Sequence, residues 1–589
     1  MKKREEISEK YKWDISAYSK SNENCLFELE IVQKEMQKIK KYEGKLNNEK
    51  SIFECLKLDS EISLKLNRLY SYSFFKVSED GNNSESKALN EKVTSATYEY
   101  ESISAFITVE ISELSTEFLT NLMKNQKFPE FSNYFKNIIR IRKHILSKPE
   151  EKLLIEMNKI SETFSLNHDM LTDVDFVFES AVDSKGKKHE LTYGNYSNSI
   201  KSPDRTLRKN SAININKPFE KFNNTLASNY IGAVKSDCIE TKLRKFESSL
   251  DNALFKGEIS KKVYDNLINS VYKNLGIFHR YFETKRLKLK LQKIATFDLN
   301  MPINQKFNTK ISYDDAIQLI KKIVLPMGEE YVNLVQKAYD ERWIDVYENK
   351  GKQSGGYQTE TYGLHPVILM NFKDNFRSVF TLIHELGHAI HSYYANKSQP
   401  YEKARYSIFL AEIASKVNEI LMLLYLINNS NSTDERVFYY DKFFNNFYAS
   451  VNRQTMFAEF EDIIHKTYEQ TQVLSKDLLN NTYLELNKKY LGEKVEILPI
   501  TKFAWSTIPH FYRSFYVYKY ATGFISALHI AKRLYNKEEG AKENYIKFLS
   551  AGSSLPPLET LKLAGVNLED PRTFQEVFDF AETILKNWK

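Results

Sequence analysis

Residues 376–395 have the sequence FRSVFTLIHELGHAIHSYYA, with the pentapeptide HELGH at His384 to His388. Apolar residues recur here at intervals of three and four, which is the spacing of an amphipathic helix. On such a helix His384 and His388 lie on one face, about one turn apart. Two imidazole nitrogens so placed can bind one tetrahedral Zn²⁺ ion at about 2.0–2.1 Å each. The pentapeptide therefore predicts a helix that carries a zinc site.

Two more residues of the pentapeptide fit this prediction. Glu385 projects beside the histidines, where a carboxylate can take a proton from metal-bound water without binding the metal itself. Gly387 is unfavourable by about 1 kcal/mol in a helix interior, so a glycine there indicates a packing or functional requirement. We expect the helix to pack closely against another backbone at Gly387.

A catalytic zinc site of this type needs a third protein ligand. No histidine follows His388 at the metzincin spacing, and His391 lies on the same helix, where a third side chain cannot complete a tetrahedral site well. We expect His391 to be structural or to support a ligand. The next helical stretch, 407–426, is apolar nearly all round yet contains Glu412 and Glu419, and buried carboxylates are costly unless paired or metal-bound. Glu412 is the preferred ligand, because Glu-Ile-Ala-Ser resembles the Glu-x-x-Ser/Ala pattern of zinc peptidases, and Glu419 could instead orient a ligand histidine.

A second group of chemically capable side chains lies in the segment IPHFYRSFYVYKYATGF, residues 508–524. Packing is the more frequent use of aromatic residues in such a pattern. Alternatively, a histidine N–H and a tyrosine hydroxyl donate to the oxyanion that forms when water attacks a peptide carbonyl, and each such donor is worth about 3–4 kcal/mol. The residues alone leave both interpretations open.

The composition is that of a large folded protein. With 42% hydrophobic and 27% charged residues over 589 positions, the chain can bury a sizeable core of several domain-sized units. The net charge of +7 is a mild excess at this length, and no basic run indicates nucleic-acid binding. Three dispersed cysteines suit a reducing compartment. Neither a membrane span nor a secretory signal is expected, because no apolar run is long enough and none follows the basic N-terminus. We therefore expect a cytoplasmic protein.

Helical patterning dominates the rest of the chain. Amphipathic helices are predicted over 26–48, 86–124, 130–163 and from a start at Ser202 to about 291. Val174, Phe176 and Phe178 alternate before a Ser-Lys-Gly turn and predict a hairpin. The apolar run 367–372, after the glycine-bearing loop 351–357, predicts a strand ahead of the HELGH helix.

Together these segments resemble oligoendopeptidase F, within the thimet-oligopeptidase-like family of zinc metallopeptidases. The matching stretches are KWDIS at 12–16, IRKHILSKPEEKLL at 141–154, SPDRTLRK at 202–209, GKQSGGYQTETYGLHPVILMNF at 351–372, TLIHELGHAIH at 381–391, AEIASKVNE at 411–419 and FYVYKYATGF at 515–524. The zinc motif alone occurs in many unrelated peptidases, whereas this combination is specific. The resemblance implies a mainly α, zincin-like fold with a deep channel between two largely helical halves and a small β-sheet beside the active-site helix.

The resemblance also implies a role for individual residues. The implied zinc ligands are His384, His388 and Glu412, and the implied base is Glu385. His510 and Tyr518 match positions that contact the scissile carbonyl or its oxyanion. Further substrate contacts are implied for Gly355, Gly356, Tyr357, Tyr512 and Tyr516. We also expect the strand 367–372 to pair with the extended substrate in β fashion.

The implied domain division is an N-terminal helical region (1–115), an oligopeptidase F N-terminal-type domain (116–195) and a zinc metallopeptidase catalytic domain (196–589). The implied substrates are short unstructured oligopeptides cut at internal bonds, and we expect a monomer or weak homo-oligomer with one zinc ion.

Two other functions fit a helical channel. One is a binding scaffold that has lost catalysis, against which the intact His384, Glu385 and His388 argue. The other is a carboxypeptidase or dipeptidyl peptidase, which would not cut a peptide blocked at both ends.

Overall fold

The computed structural model describes residues 2–304 and 310–588 of the chain. Helices dominate it, which confirms the mainly α prediction. The α-helices of the described residues are α1 Asn22–Met36, α2 Glu49–Glu79, α3 Ser84–Ser104, α4 Phe106–Glu113, α5 Thr116–Met123, α6 Ser132–Ile141, α7 Lys148–Asp169, α8 Tyr193–Ser199, α9 Arg205–Lys221, α10 Asn223–Leu243, α11 Ser249–Lys256, α12 Lys261–Lys273, α13 Leu275–Lys288, α14 Tyr313–Ile323, α15 Glu329–Asp340, α16 Phe376–Ser398, α17 Tyr401–Ala404, α18 Ile408–Asn429, α19 Thr433–Phe447, α20 Arg453–Thr471, α21 Lys476–Leu491, α22 Tyr518–Tyr535, α23 Ala541–Leu549, α24 Pro557–Leu563 and α25 Pro571–Asn587. In the part of the chain that the structure describes, no helix is both long and apolar enough to cross a membrane.

The strands are short and form three small sheets among the described residues. They are β1 Ala181–Val182, β2 Lys188–His189, β3 Ile294–Ala295, β4 Ile344–Asp345, β5 Tyr357–Thr359, β6 Val367–Leu369 and β7 Val495–Glu496. β1 pairs with β2 antiparallel, and β3 pairs with β7 parallel. The remaining sheet has the order β4-β6-β5, with β6 parallel to β4 and antiparallel to β5.

The chain divides into two compact units, each built from three separated segments. The first unit comprises Met1–Lys143, Asn308–Met422 and Arg533–Gly565. Within it α2 packs against α1 and α3, and the apolar core that they form extends to Val367 and Leu369 of β6. This core therefore supports the sheet that precedes α16.

The second unit comprises His144–Phe307, Leu423–Lys532 and Val566–Lys589. Its helix α10 packs against α7, α20 and α21. Tyr230 of α10 contacts the aromatic rings of Phe460, Trp505 and Phe511, and all four side chains are buried. The segment that carries the predicted oxyanion donors begins at this aromatic cluster.

Two local predictions from the sequence differ from the structure, and one helix was not predicted. The long helix α2 was not predicted, although Asn48 begins it as an N-cap that accepts a hydrogen bond from Ser51 N. Val174 lies in a π-helical turn, Met170–Asp175, that extends α7, so the alternation of 174–178 is not a strand, and the hairpin is only the β1–β2 pair. α9 begins with Asp204 rather than Ser202 as its N-cap, because the Asp204 carboxylate accepts from Leu207 N at 3.0 Å. The three cysteines are free and buried.

Candidate metal centre

The HELGH pentapeptide lies in the middle of α16. Asn375 caps the helix by accepting a hydrogen bond from Ser378 N at 3.0 Å, which satisfies one of its unpaired N–H groups. The helix is buried along most of its length by the side chains of Val379, Leu382, Ile383, Leu386, Ala389 and Ile390. Both histidines are half-buried, so they are held by a rigid element without being sealed from solvent.

Three predicted ligands converge. His384 Nε2 and His388 Nε2 lie 3.2 Å apart. Glu412 Oε2, from α18, lies 3.7 Å from His384 Nε2 and 3.9 Å from His388 Nε2. Within the described residues, these three side chains are the group whose ligand atoms approach closely enough to share a metal ion.

The spacing of these atoms fits a tetrahedral ion. Ligands bound to zinc at 2.0–2.2 Å lie about 3.3–3.6 Å from one another in a tetrahedron. The three observed separations bracket that range, and two imidazoles with one carboxylate are a donor set that zinc takes in hydrolytic enzymes. The Glu412 side chain is 41% exposed, so the site is open to solvent on that side.

His384 is oriented by a carboxylate on the neighbouring helix. Its Nδ1 lies 2.6 Å from Glu419 Oε1, and Lys416 Nζ donates to the same carboxylate at 2.9 and 3.1 Å. Glu419 is ionised, because Lys416 and His384 outweigh its burial and lower its pKa to about 2. An ionised acceptor at Nδ1 leaves the Nε2 lone pair of His384 free for a metal.

His388 and His391 are both neutral over the physiological range. Burial, with the neighbouring His384, lowers the pKa of His388 to about 4, and His388 also hydrogen-bonds the backbone of Ala411. Burial lowers the pKa of His391 to about 3, and its ring stacks on Tyr406 at 3.7 Å between centroids. His391 does not belong to the converging group, in accord with the structural role expected for it.

Glu385 lies in the buried half of the site, with 7% of its surface exposed. Burial raises the pKa of its carboxyl group, and the charges of Glu412 and Glu419 raise it further, against an opposing effect of His384. A carboxylate with a raised pKa is a better proton acceptor at neutral pH than an ordinary one.

Most of this chain matches a known peptidase family. Residues 199–580, more than half of the chain, match Peptidase family M3, and residues 110–178 match Oligopeptidase F. The chain belongs to peptidase family M3. It is therefore an enzyme, a metalloendopeptidase whose substrates contain peptide bonds, and the family is zinc-dependent in general.

Individual relatives of this M3 peptidase align over nearly their whole length. It is 35% identical to oligopeptidase PepF of Bacillus subtilis over 595 residues, covering 100% of this chain and 89% of that protein. It is 33% identical to the group B oligopeptidase PepB of Streptococcus agalactiae, covering 96% and 94%. A crystal structure described as a peptidase from Chlamydophila abortus superposes with a TM-score of 0.94 at 30% identity, covering 100% and 99% of the two chains. That of oligoendopeptidase-F from Enterococcus faecium superposes with a TM-score of 0.73 at 28% identity, covering 95% and 97%.

Gly387 of this M3 peptidase packs against the backbone of α18, as the sequence predicts. A Cβ atom at Gly387 would lie 2.6 Å from Ser415 Cα and 2.9 Å from both Ala414 O and Ser415 N. In addition, Asn418 Nδ2 donates to Ile383 O at 2.9 Å across the same pair of helices. The close crossing of α16 and α18 brings Glu412 to the two histidines.

The sheet beside α16 corrects one prediction. The run 367–372 was expected to pair with an extended substrate, but β6 is the central strand and pairs with β4 on one side and β5 on the other. Its backbone groups are therefore already used. Within the described residues β5 pairs with β6 alone, so Tyr357–Thr359 is the edge strand of this sheet.

The loop that leads into β5 is held against α16. Asn371 Nδ2 donates to Gln353 O and to Gly355 O, each at 2.9 Å. Gly355 has φ +88°, and a Cβ atom at Gly356 would lie 3.2 Å from Thr381 Cγ2 of α16. Gly356 thus lies beside Thr381, one helical turn before His384. Asn371 is a supporting residue that the sequence did not single out.

The aromatic residues predicted to contact the substrate belong to the second unit, whereas the converging ligands belong to the first. Tyr518 is 1% exposed, with its ring edge-on to Tyr264 at 5.5 Å, and burial raises the pKa of its hydroxyl. Tyr512 accepts a hydrogen bond from Asn229 Nδ2 at 3.0 Å, and burial raises its pKa to about 12. Tyr518 is thus built into the interior of its unit, whereas Tyr512 is partly buried and hydrogen-bonded.

His510 is exposed and lies in a cluster with two other tyrosines. Its Nε2 is 3.3 Å from Tyr520 Oη, and its ring centroid is 6.1 Å from that of Tyr516. The sequence did not single out Tyr520, although it lies in the same segment, 508–524. The alternation Tyr516, Tyr518, Tyr520 was a visible signal, but it does not tell which of the three is buried.

Proposed function

We propose that this M3 peptidase is a zinc metalloendopeptidase that hydrolyses internal bonds of short, unstructured oligopeptides and leaves folded proteins intact. The observation that carries the proposal is the convergence of His384 Nε2, His388 Nε2 and Glu412 Oε2 within 3.2–3.9 Å. These three side chains would hold one zinc ion. The resemblance to oligoendopeptidases supports the substrate class.

Zinc, when bound, supplies a Lewis acid that activates water and polarises a carbonyl group. The remaining steps are performed by the chain's own residues. Glu385 accepts a proton from the attacking water and passes it to the leaving amine, acting first as base and then as acid. Its raised pKa supports this role, because the carboxyl must hold the proton between the two steps. Glu419 keeps His384 in one tautomer throughout.

The substrate would bind as an additional strand. The edge strand β5 packs against α16 and pairs with β6 on one side only, and an extended peptide can add to such an edge. Main-chain pairing of this kind depends weakly on side-chain identity, which suits an enzyme for varied oligopeptides. Gly355, where a Cβ atom would meet nothing within 4 Å, leaves room for the peptide backbone at the end of the strand, whereas Gly356 lets the strand approach α16.

His510 is the proposed histidine donor to the oxyanion, and a tyrosine hydroxyl is the second proposed donor. The buried hydroxyl of Tyr518 weighs against it. The 3.3 Å separation between His510 Nε2 and Tyr520 Oη supports Tyr520 in its place. Each donor is expected to contribute about 10²–10³-fold to kcat. Tyr520→Phe should therefore lower kcat by about this factor, and Tyr518→Phe should lower kcat much less.

The deciding experiment uses a quenched peptide blocked at both ends, in a series of increasing length. The wild type should cut short members internally, lose activity with a chelator and regain it with zinc. Cleavage of the same peptides only when their ends are left free would indicate an exopeptidase, and peptide binding without cleavage of either form would indicate a scaffold. A cytoplasmic location and a monomeric or weakly associated state remain predictions, tested by fractionation and by mass in solution.

A further inference from the structure

Phe515 has a backbone conformation that is rare for its residue type. Its φ is +54°, in the left-handed region, although it is a large aromatic residue with 3% exposure. This conformation costs an L-residue about 1–2 kcal/mol, and it persists only where the surroundings enforce it. Phe515 stands between His510 and Tyr520, so the strained turn sets the path of the chain through the proposed donors.

Two side chains of α20 hold this turn. Glu461 accepts a hydrogen bond from Phe515 N at 3.1 Å. His465, one turn further along the helix, packs its ring against that of Phe515 at 4.7 Å between centroids, and its Nδ1 donates to Glu461 O at 2.9 Å. The backbone and the side chain of the strained residue are thus both held by one helix.

A third side chain, from α10, holds the preceding residue. Asp237 Oδ2 accepts a hydrogen bond from Ser514 Oγ, and the same oxygen lies 3.4 Å from His465 Nε2. Asp237, Glu461 and His465 therefore form a connected set around residues 514–515. We call these three side chains the turn clamp.

Glu461 is the buried member of the turn clamp. Glu461 is 0% exposed. Burial and the negative charges of Asp237 and Asp462 raise the pKa of its carboxyl group well above the ordinary value, although the hydrogen bond from Phe515 N opposes this shift. Among the described residues no side chain or backbone group hydrogen-bonds its Oε2. A neutral carboxyl group tolerates such a place far better than an ionised one. Glutamine has the same shape and can also accept from Phe515 N.

We propose that Glu461, supported by Asp237 and His465, is a positioning residue for catalysis: it holds Phe515 in its left-handed conformation and thereby fixes His510 and Tyr520. A carboxyl group that served only the core would gain more from a regular partner than from the amide of a strained turn. The inference rests on the proposed roles of His510 and Tyr520.

The test compares Glu461→Leu, which cannot accept the hydrogen bond, with Glu461→Gln, which can. The matched control is Glu459→Leu on the same helix, because Glu459 accepts from Tyr272 and Tyr490 but does not touch residues 514–515. We expect Glu461→Leu to lower kcat by about 10- to 100-fold, the effect of a displacement of about 1 Å, with KM and zinc content close to those of the wild type. The kcat of Glu461→Gln should be within about threefold of the wild-type value. The kcat of Glu459→Leu should also be within about threefold of that value, while its thermal stability is lowered. A Glu461→Leu variant that is folded, zinc-loaded and as fast as the control would overturn the proposal.

A second variant keeps the test decisive if Glu461→Leu is too unstable. Glycine adopts φ +54° without strain, so the cost of losing the Glu461 acceptor should shrink when Phe515→Gly is already present. The variants compared are Glu461→Ala, Phe515→Gly and the double variant that combines them. The kcat of the double variant should be no lower than the kcat of the slower single variant. If the factors by which the two single substitutions lower kcat multiply in the double variant, the turn clamp is contradicted. Failure of the proposed function is recognised separately, because then the wild type does not cleave the peptide, or His510→Ala keeps full kcat.

Discussion

His384 Nδ1 and Glu419 Oε1 lie 2.6 Å apart, and they connect helix α16, which carries HELGH, to helix α18, which carries Glu412 and Glu419. Lys416 donates to both oxygens of the same carboxylate. Because Glu419 is occupied in this way, Glu412 is the acidic residue of α18 that remains at the Nε2 atoms of both histidines. From the sequence, Glu412 could be preferred to Glu419 as a metal ligand only by its local pattern. In the structure the two carboxylates have different positions, so their replacement is expected to have different effects.

Replacing the two carboxylates should separate a ligand from its support. Glu412→Ala is expected to lose bound zinc, because it removes one of three ligand atoms. Glu419→Ala is expected to keep the site and weaken zinc affinity by about 10- to 100-fold, the usual cost of losing a hydrogen-bond partner of a ligand. Zinc content after dialysis and chelator competition measures both, with exposed Glu91→Ala as the control. The reverse order of the two variants would reassign the ligand.

Glu385→Gln should separate proton transfer from metal binding. The amide keeps the size of the side chain but cannot accept the proton, so kcat should fall by about 10²–10⁴-fold. Zinc content and peptide affinity should be retained, because Glu385 is not one of the converging ligand atoms. Initial rates with a quenched peptide, normalised to bound zinc, measure this. Appreciable turnover by a zinc-loaded, contaminant-free variant would disprove the role of base.

Gly387→Ala should destabilise the protein although alanine is the better helix former. The new Cβ would meet backbone atoms of Ala414 and Ser415 at 2.6–2.9 Å, which cannot be relieved by a rotamer change. Such overpacking costs about 1–3 kcal/mol and exceeds the gain of about 1 kcal/mol in helix propensity. Zinc affinity should fall as well, because α16 and α18 would move apart.

Gly523→Ala is the matched control for this variant. Gly523 also lies inside a helix, but a Cβ there meets no atom within 4 Å. It should therefore gain stability, by up to about 1 kcal/mol. Thermal unfolding of both variants, followed at equal zinc load, gives the comparison. Equal shifts for the two glycines would mean that the close helix crossing does not matter.

His391→Phe should reduce the pH dependence of stability in the zinc-free protein. The pKa of His391 is about 3 in the folded protein, below its ordinary 6.5. Between these values the unfolded chain binds the extra proton, so stability falls as pH is lowered through this range, by up to about 1.4 kcal/mol per pH unit. Phenylalanine cannot be protonated and can still stack on Tyr406.

The measurement is denaturant unfolding at pH 7 and pH 5 in the presence of a chelator. The loss of stability between the two values should be about 2 kcal/mol smaller in His391→Phe than in the wild type. Tyr406→Phe, which leaves the histidine in place, should behave as the wild type does. An unchanged pH dependence in His391→Phe would show that the imidazole is already protonated or exposed in the folded state.

Most of the helical content and the central chemistry could be predicted from local patterns. HELGH lies within one helix, so its 3.6-residue period alone brings His384 and His388 to the same face, and no other element is needed. The boundaries of short elements were less accessible. Val174 to Phe178 alternate like a strand, but Val174 lies in the π-helical turn that extends α7 and the residues after Asp175 form no strand. A period of two over five residues is too short to outweigh the helix that precedes it.

The sequence by itself determined that this protein has a helical metal motif, an acidic residue to complete it and a family. Tertiary structure decided which groups are free to act. Glu412 and Glu419 lie two turns apart on one helix, and only the crossing of α16 over α18 at Gly387 assigns one to the ligand atoms and the other to His384 Nδ1. β6 is apolar enough to be a strand, but pairing on both sides removes it from substrate binding and leaves β5 at the edge. Tyr518 and Tyr520 have the same chemistry, and packing against Tyr264 buries the first while the second lies beside His510. The physical reason is common to all three: local periodicity sets which way a side chain points from its own element, whereas its neighbours and its exposure depend on elements distant in the chain.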